Sequence, residues 1–564
     1  MARPQGRIDS VNPSTWAART LVTELARRGV RHVVLAPGSR SAPLAHALAT
    51  ASARGDLRLH VRVDERVAAF TALGLARVSG LVAVVTTSGT AAANLHPAVL
   101  EASHAGVPLL LLTADRPHEV RGTGANQTTD QARLFGPAVR FFADVPAPYG
   151  RAGEDADLRA LLARAVAAAA GTRSGDPGPV HLDLAFREPL VPDDDAAWPA
   201  SADGAVDVAA VPPVAEPVVL DDGPRTVVVA GDGAGVEARE YAEGAGVPLL
   251  AEPSSGARSG PNAVGPYRLL LEHPELGGRV ERVVVFGHAT LSRPVSALLA
   301  AESAEVVVVA GRAPDWIDAG RRAARVLQAV AAPSSGRAGS GEWLASWQRA
   351  AKAAQDAVDD VLAAGPLTGP AVAALVWAAR RPGEALVAGS SNPIRDLDLA
   401  AAPALSGDAG PVLANRGLAG IDGTLSTATG VALASGTPVR ALVGDLTFLH
   451  DAGGLLIGPL EDHPDLQIVV VNDDGGGIFA LLEHGDPAHA DRFERVFGTP
   501  HGAGLAALCA GYGVAHRRVT DAESLRSALA EPVTGRSVLE VSIARAALRD
   551  LHARLRAAVA ATLA

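Results

Sequence analysis

Two largely apolar runs in the last third of the chain stop at acids: residues 439–443 run into Gly444-Asp445, and residues 466–471 run into Asn472-Asp473-Asp474. Short β-prone runs separated by a longer amphipathic segment predict a strand, a crossover and a parallel strand. Both acids then fall at carboxyl ends of strands, where open α/β sheets bind ligands. Asp473 follows Asp445 by 28 residues, close to the length of one such crossover. Gly475, Gly476 and Gly477 let the backbone approach an anion and turn into Ile478-Phe479. Carboxylates beside a glycine turn are hard oxygen ligands, so the chemistry indicated is a magnesium-held phosphate.

The elements that position these residues repeat along the chain. From Arg31 to Pro117 strand-like and helix-like segments alternate, which predicts a parallel, doubly wound sheet. Gly38-Ser39-Arg40 and Asp115-Arg116 fall just past strand ends, so they belong on one rim of it. Glu65 follows an alternating strand and opens a helix, a place the helix dipole favours for an acid. The segment RGTGANQTTDQ, which carries Gln127, has the composition of a binding loop. Residues 191–224 turn rich in Pro, Asp and Ala, and PSSGRAGSGE after Ala332 is a second break. The fold class expected is α/β: three doubly wound, mainly parallel-sheet domains, at 1–195, 215–335 and 355–564.

Composition narrows the chemistry. A chain of 564 residues can bury several large cores, and its formal net charge of −11 argues against non-specific nucleic-acid binding. No uninterrupted apolar run reaches membrane-spanning length and the N-terminus lacks a signal-like apolar region, so a cytoplasmic protein is expected. Cys509 is the single cysteine, which excludes an intrachain disulfide or a thiolate zinc cage, and a core position on a helix is expected for it. Lys352 is the single lysine, set in a polar helical stretch, so Schiff-base chemistry and a P-loop are not expected. Anionic ligands must therefore be held by arginine, whose fork bonds both oxygens of a carboxylate.

Glu65, Gly444-Asp445, Asp473 and the following glycines resemble, in order, the parts of the thiamine-diphosphate enzyme superfamily. PGSRSAPL, VDER, TSGTAAANLHPAVLEA, ADRP, GTGANQT, SSNPIRD, NRGLAGIDGT, GDLTFLHD and GGGIF together resemble its 2-succinyl-5-enolpyruvyl-6-hydroxy-3-cyclohexene-1-carboxylate synthase family. The likeness covers the first and last thirds and is weak between them. It implies a thiamine-diphosphate carboligase of menaquinone biosynthesis that decarboxylates 2-oxoglutarate and adds the succinyl-semialdehyde unit to isochorismate by 1,4-addition.

By the same resemblance the first domain binds the cofactor's pyrimidine through Glu65 and the last binds its diphosphate. Asp445, Asp473 and the Gly475 carbonyl would hold Mg2+, with Mn2+ as an alternative, and Gly476 and Ile478 would complete the cofactor contacts. Ile421 would wedge the cofactor and Phe479 would wall it, although by residue type alone both read as core. Ser391, Arg395 and Arg416 would hold the 2-oxoglutarate part, with Ser391 and Arg395 near the chemistry. Ser39, Arg40, Arg116, Gln127 and Arg293 would hold isochorismate. The family's assembly implies a homodimer or tetramer with shared active sites, and neither nucleic acid nor membrane as partner.

Three positions depart from the broader pattern. Leu446 stands where many thiamine enzymes have glycine, a difference this family shares. Ser292 stands where some relatives carry a second cation. Asp473 replaces an asparagine, adding a negative charge beside metal and diphosphate, worth about 4 kcal/mol at 4 Å for an effective dielectric of 20. Tighter magnesium binding against greater cofactor repulsion is expected from it.

Rival readings are an acetolactate-synthase-like relative, a dinucleotide-dependent oxidoreductase and a non-catalytic scaffold. The second rests on Gly231, Gly233 and Gly235 after a strand with Glu252 at a ribose-binding distance in sequence, but Val236 occupies the third fingerprint glycine.

Overall fold

The computed structural model describes residues 12–192, 198–199, 206–211, 216–311, 315–333, 340–405 and 410–563. Parts of both expected linkers (193–197, 200–205, 212–215 and 334–339) and the first 11 residues lie outside the described residues.

The first sheet is built from β1 (His32–Leu35), β2 (Arg58–Val61), β3 (Val82–Thr86), β4 (Leu109–Asp115), β5 (Phe141–Val145) and β6 (Val180–Ala185), in the order β2-β1-β3-β4-β6-β5. A two-stranded pair joins β7 (Val218–Val219) to a later strand, β13 (Val330–Ala331). Between them lie β8 (Thr226–Ala230), β9 (Leu249–Ala251), β10 (Arg282–Phe286), β11 (Glu305–Val309) and β12 (Ala323–Leu327), ordered β12-β11-β10-β8-β9. The last sheet takes β14 (Ala385–Ala388), β15 (Val412–Leu413), β16 (Val439–Gly444), β17 (Leu466–Asn472), β18 (Ala515–Val519) and β19 (Arg536–Ser542), in the order β15-β14-β16-β17-β19-β18. Every strand pairing in these sheets is parallel. The fold is α/β with mainly parallel sheets flanked by helices.

The central strands are largely apolar because both faces are covered, whereas the edge strand β18 is polar and mostly exposed. In the first sheet Val33, Leu35, Ala83, Val85, Leu110 and Leu112 enter one core, while the intervening Val34, Val82, Val84, Leu109 and Leu111 enter another. The middle sheet divides its valines in the same way, Val227, Val229, Val283 and Val285 against Val228, Val284 and Val307. Alternation of side chains along a strand sends successive residues to opposite faces, so two layers of helix need an unbroken apolar run.

The chain forms two compact units, Met1–Pro212 with Ser426–Gly436 and Gly453–His463, and Pro213–Leu425 with Thr437–Ala452 and Pro464–Ala564. The second unit holds both the middle and last sheets. In the first, the helix Glu65–Ser79 crosses the helix Thr424–Ser435 at two glycines. A Cβ on Gly74 would lie 2.0 Å from the Thr427 carbonyl oxygen, and one on Gly430 2.1 Å from that of Thr71. Backbone touches backbone there, so no side chain can yield. Gly74→Ala or Gly430→Ala should destabilise the protein by about 1–3 kcal/mol, the usual cost of overpacking, read as a lowered denaturation midpoint. Gly365→Ala, whose Cβ meets nothing within 4 Å, is the comparator and should be near neutral.

Candidate active site

In the second unit, Asp445 and Asp473 leave neighbouring strands at almost the same level, since the register pairs Gly444 with Val471. Both line a cleft of ≈220 Å³ with Ser391, Asn392, Asp396, Ile421, Gly475, Gly476, Ile478, Phe479 and Arg545. The cleft lies where the strand order reverses, between β14 and β16, the switch point at which such sheets bind ligands. Asp445 is buried and its carboxylate is fixed: Oδ1 accepts the Leu446 N–H at 2.6 Å and Oδ2 accepts the Gly475 N–H at 2.9 Å. The Asp473 carboxyl is pushed up to about 7, by burial first and then by the charge of Asp445.

Ser391 caps the helix Asn392–Ala400 at φ 73, a left-handed conformation that costs a non-glycine residue of the order of 1–3 kcal/mol. Its carbonyl accepts Arg395 Nη1 at 2.8 Å. Burial, then Arg416 and Arg268, holds the Arg395 guanidinium below its ordinary range. Arg416 is buried; Nη2 reaches Thr290 Oγ1 at 3.4 Å, while Nε and Nη1 have no hydrogen-bond partner among the described residues. Arg293 is 71% exposed and bonds Glu483 at 2.9 Å. It shares a second cleft of ≈930 Å³ with Arg395, Asn392 and Ile478.

The first unit assembles the other group at its own switch point, between β1 and β3. A Cβ on Gly38 would lie 2.3 Å from Thr87 Cβ, so glycine lets the two strand ends meet. Arg116 donates to Ser88 Oγ at 2.5 Å and to the Asn126 carbonyl at 2.7 Å, and Ser88 Oγ donates to the Gln127 carbonyl at 2.8 Å. Gln127 itself sits at φ 52. Arg40 donates to the Phe186 carbonyl at 3.0 Å, its guanidinium held low by burial and then by Arg116, and Ser39 is exposed beside it. Glu65 is the first residue of its helix, behind the N-cap Asp64, and accepts from Asn94 Nδ2 at 3.3 Å.

Residues 15–134 match the family model described as the N-terminal TPP binding domain of thiamine pyrophosphate enzymes, and residues 405–541 match that of the C-terminal TPP binding domain. A 2-succinyl-5-enolpyruvyl-6-hydroxy-3-cyclohexene-1-carboxylate synthase from Kineococcus radiotolerans is 56% identical over 98% of this chain and 100% of its own. Proteins of the same name from Paenarthrobacter aurescens and Renibacterium salmoninarum are each 52% identical over 98% of this chain, and over 97% and 98% of theirs. The chain belongs to this synthase family.

Like the other members it is a thiamine pyrophosphate enzyme. Among the described residues no group of three or more His, Cys, Asp or Glu side chains is arranged to hold a metal alone. Asp445 and Asp473 put two carboxylates in one cleft, donors of the kind a hard cation takes when a ligand's own oxygens complete its shell. The glycine loop is packed from behind, a Cβ on Gly475 falling 1.9 Å from the Gly498 oxygen and one on Gly476 2.3 Å from the Phe497 oxygen. The dinucleotide alternative loses its acid: Glu252 is 1% exposed and accepts the Leu291 N–H at 2.9 Å, so it faces no ribose. Cys509 is buried on a helix, Lys352 pairs with Asp356 at 2.7 Å, and no described helix is long and apolar enough to cross a membrane.

Sequence reasoning missed the network beneath the Arg116 loop in this synthase. Arg121 lies among three acids, with Nε 2.9 Å from Asp115, Nη1 2.8 Å from Asp144 and Nη2 3.7 Å from Asp183. Gln131 bridges the loop to this cluster, donating to Asp183 at 2.8 Å and accepting the Gly89 N–H at 2.7 Å. Asp183 is pushed up to about 7 by burial, then by Asp115. The folded chain thus keeps a proton that an unfolded aspartate, near 3.8, gives up. Stability from this group is present at low pH and lost as pH rises from about 4 to about 7. Asp183→Asn, fixed in the neutral form, should escape that loss, so its stability relative to the wild type should rise steadily between about pH 4 and pH 7, measured by denaturant unfolding across the range.

Proposed function

We propose that this chain is a thiamine-diphosphate-dependent carboligase that decarboxylates 2-oxoglutarate and adds the succinyl-semialdehyde unit to isochorismate by 1,4-addition. The product is 2-succinyl-5-enolpyruvyl-6-hydroxy-3-cyclohexene-1-carboxylate, and the setting is menaquinone biosynthesis. The observation that carries this reading is near-full-length identity to proteins of that name, up to 56%. The proposed parts are a pyrimidine-binding domain at 1–195, a middle domain at 215–335 and a diphosphate-binding domain at 355–564.

Thiamine diphosphate, when bound, supplies the electron sink that decarboxylation of a 2-oxoacid requires. Asp445, Asp473 and the Gly475 carbonyl would hold its diphosphate through Mg2+ or Mn2+. Gly476 and Ile478 would contact it, Ile421 would wedge it and Phe479 would wall it. Glu65 would bond the pyrimidine and move a proton there, with Asn94 keeping the carboxylate aimed. Arg416, buried with two N–H groups unspent, suits a carboxylate of 2-oxoglutarate, as does Arg395 beside Ser391. Ser39, Arg40, Arg116 and Gln127 suit isochorismate, and Arg293 would have to exchange Glu483 for it. The active form proposed is a homodimer or tetramer with shared sites, in the cytoplasm.

Incubation with 2-oxoglutarate, isochorismate, thiamine diphosphate and Mg2+ should release CO2 and give the single adduct, and omitting any one component should stop it. Glu65→Gln should lower turnover by about 10²–10⁴-fold while calorimetry still records cofactor binding. Undiminished turnover would refute the role given to Glu65, and an active monomer in sedimentation would refute shared sites.

A further inference from the structure

We infer that His501, an imidazole in none of the motifs above, is a positioning residue that aims the Asp445 carboxylate at the metal. The inference rests on reading Asp445 as a metal ligand. His501 Nε2 lies 3.2 Å from Asp445 Oδ2. On the far side of the ring, the Ala503 N–H donates into Nδ1 at 2.9 Å. A nitrogen that accepts a hydrogen bond carries no proton, so the ring proton sits on Nε2, where it points at the carboxylate. Outer partners of this kind orient metal ligands and are worth about 10–100-fold in metal affinity.

The ring is delivered by a strap, residues 498–502, folded back over the glycine turn. Asp474, at φ 58, accepts the His501 N–H at 3.1 Å and the Gly502 N–H at 2.9 Å on Oδ1. Arg545 Nη1 donates to the Asp474 carbonyl and to the Gly498 carbonyl, each at 2.9 Å, and Nη2 bonds Glu494 at 2.5 Å. The Gly498 carbonyl also takes the Gly476 N–H at 2.8 Å. The strap is therefore tied to the turn that carries Asp473 and Gly475. Backbone atoms of residues 498, 501 and 502 make the strap's hydrogen bonds to Asp474 and Arg545, and His501 Nδ1 also lies 3.6 Å from Asp474 Oδ1. Those backbone bonds do not involve His501 Nε2, which is left to serve Asp445.

That division makes the test specific. In full-length protein, Mg2+ is titrated by calorimetry at fixed thiamine diphosphate, and the unfolding midpoint of the ligand-free protein is taken alongside. His501→Ala should weaken the apparent Mg2+ affinity by about 10–100-fold with only a small shift of the ligand-free midpoint, because the backbone bonds of the strap remain. His501→Gln, which restores an N–H donor of similar reach, should recover most of the loss. Wild-type Mg2+ affinity in His501→Ala, or equal loss in the Ala and Gln variants, overturns the inference. Asp445→Ala separates the two levels: if it too bound Mg2+ like the wild type, the metal-site reading itself would fall. If Asp445→Ala lost affinity and His501→Ala did not, only the role of His501 would fall.

Discussion

Two carboxylates that step off adjacent parallel strands into one cleft set the terms for the second unit. Asp445 and Asp473 cannot move apart, because their strands are in register and the six-residue ladder behind them is buried. Burial, and after it the charge of Asp445, pushes the Asp473 carboxyl up. Such an arrangement is costly unless a cation joins it. The surroundings answer this need with fixed dipoles: the Leu446 and Gly475 N–H groups and the His501 ring on Asp445, and the Arg545 charge near Asp473. None of these neutralises both acids, which leaves room for a divalent ion with an anion of its own.

The first and last sheets have the same strand order, 2-1-3-4-6-5 when each is counted from its own first strand. That order creates a crevice at one point only, beyond the carboxyl ends of strands one and three. In the first sheet this point carries Gly38-Ser39-Arg40 and Thr87-Ser88; in the last it carries Ser390-Ser391 and Gly444-Asp445. Two of the seven described non-glycine residues at positive φ lie near these places, Gln127 and Ser391. Loops held in unfavoured conformations need strong anchors, and Gln131 to the Asp183 cluster and Arg395 to Ser391 are the anchors found.

What the sequence made legible was what one stretch of chain encodes by itself. A strand that stops at Asp445, a second that stops at Asp473 and the glycines after it are all local signals, and the α/β class follows from continuous apolar runs covered on both faces. Contacts between distant segments left no such trace. His501 meets Asp445 from 56 residues away, and no spacing rule connects them. The sequence grouped residues 426–436 with the last third, yet they pack in the first unit, through a glycine contact that looks ordinary in a helix rich in Ala, Thr and Gly. Glu252 matched a dinucleotide spacing, but the pattern cannot register burial, and burial decides what a carboxylate can touch. The opposite holds for Arg293, which family resemblance suggested as a ligand and whose side chain is largely in solvent.

A net charge of −11 would repel dianionic substrates if binding depended on the overall field. The chain instead confines its attraction to desolvated arginines. Arg440 shows the structural use of such a group: buried, it bonds Glu384 at 2.9 Å, Gln467 at 3.0 Å and carbonyls of Ala379 and Leu529, so its donors are spent. Arg258 gives Nη1 and Nη2 to the carbonyls of Ala251 and Ala401, and its Nε has no hydrogen-bond partner among the described residues. Arg416 is as deeply buried but keeps two donor atoms without partners. An unsatisfied buried donor costs about 1–3 kcal/mol, and a bound carboxylate would relieve that cost. Among the described residues, exposure does not separate Arg416 from Arg440, and the number of donors without partners does.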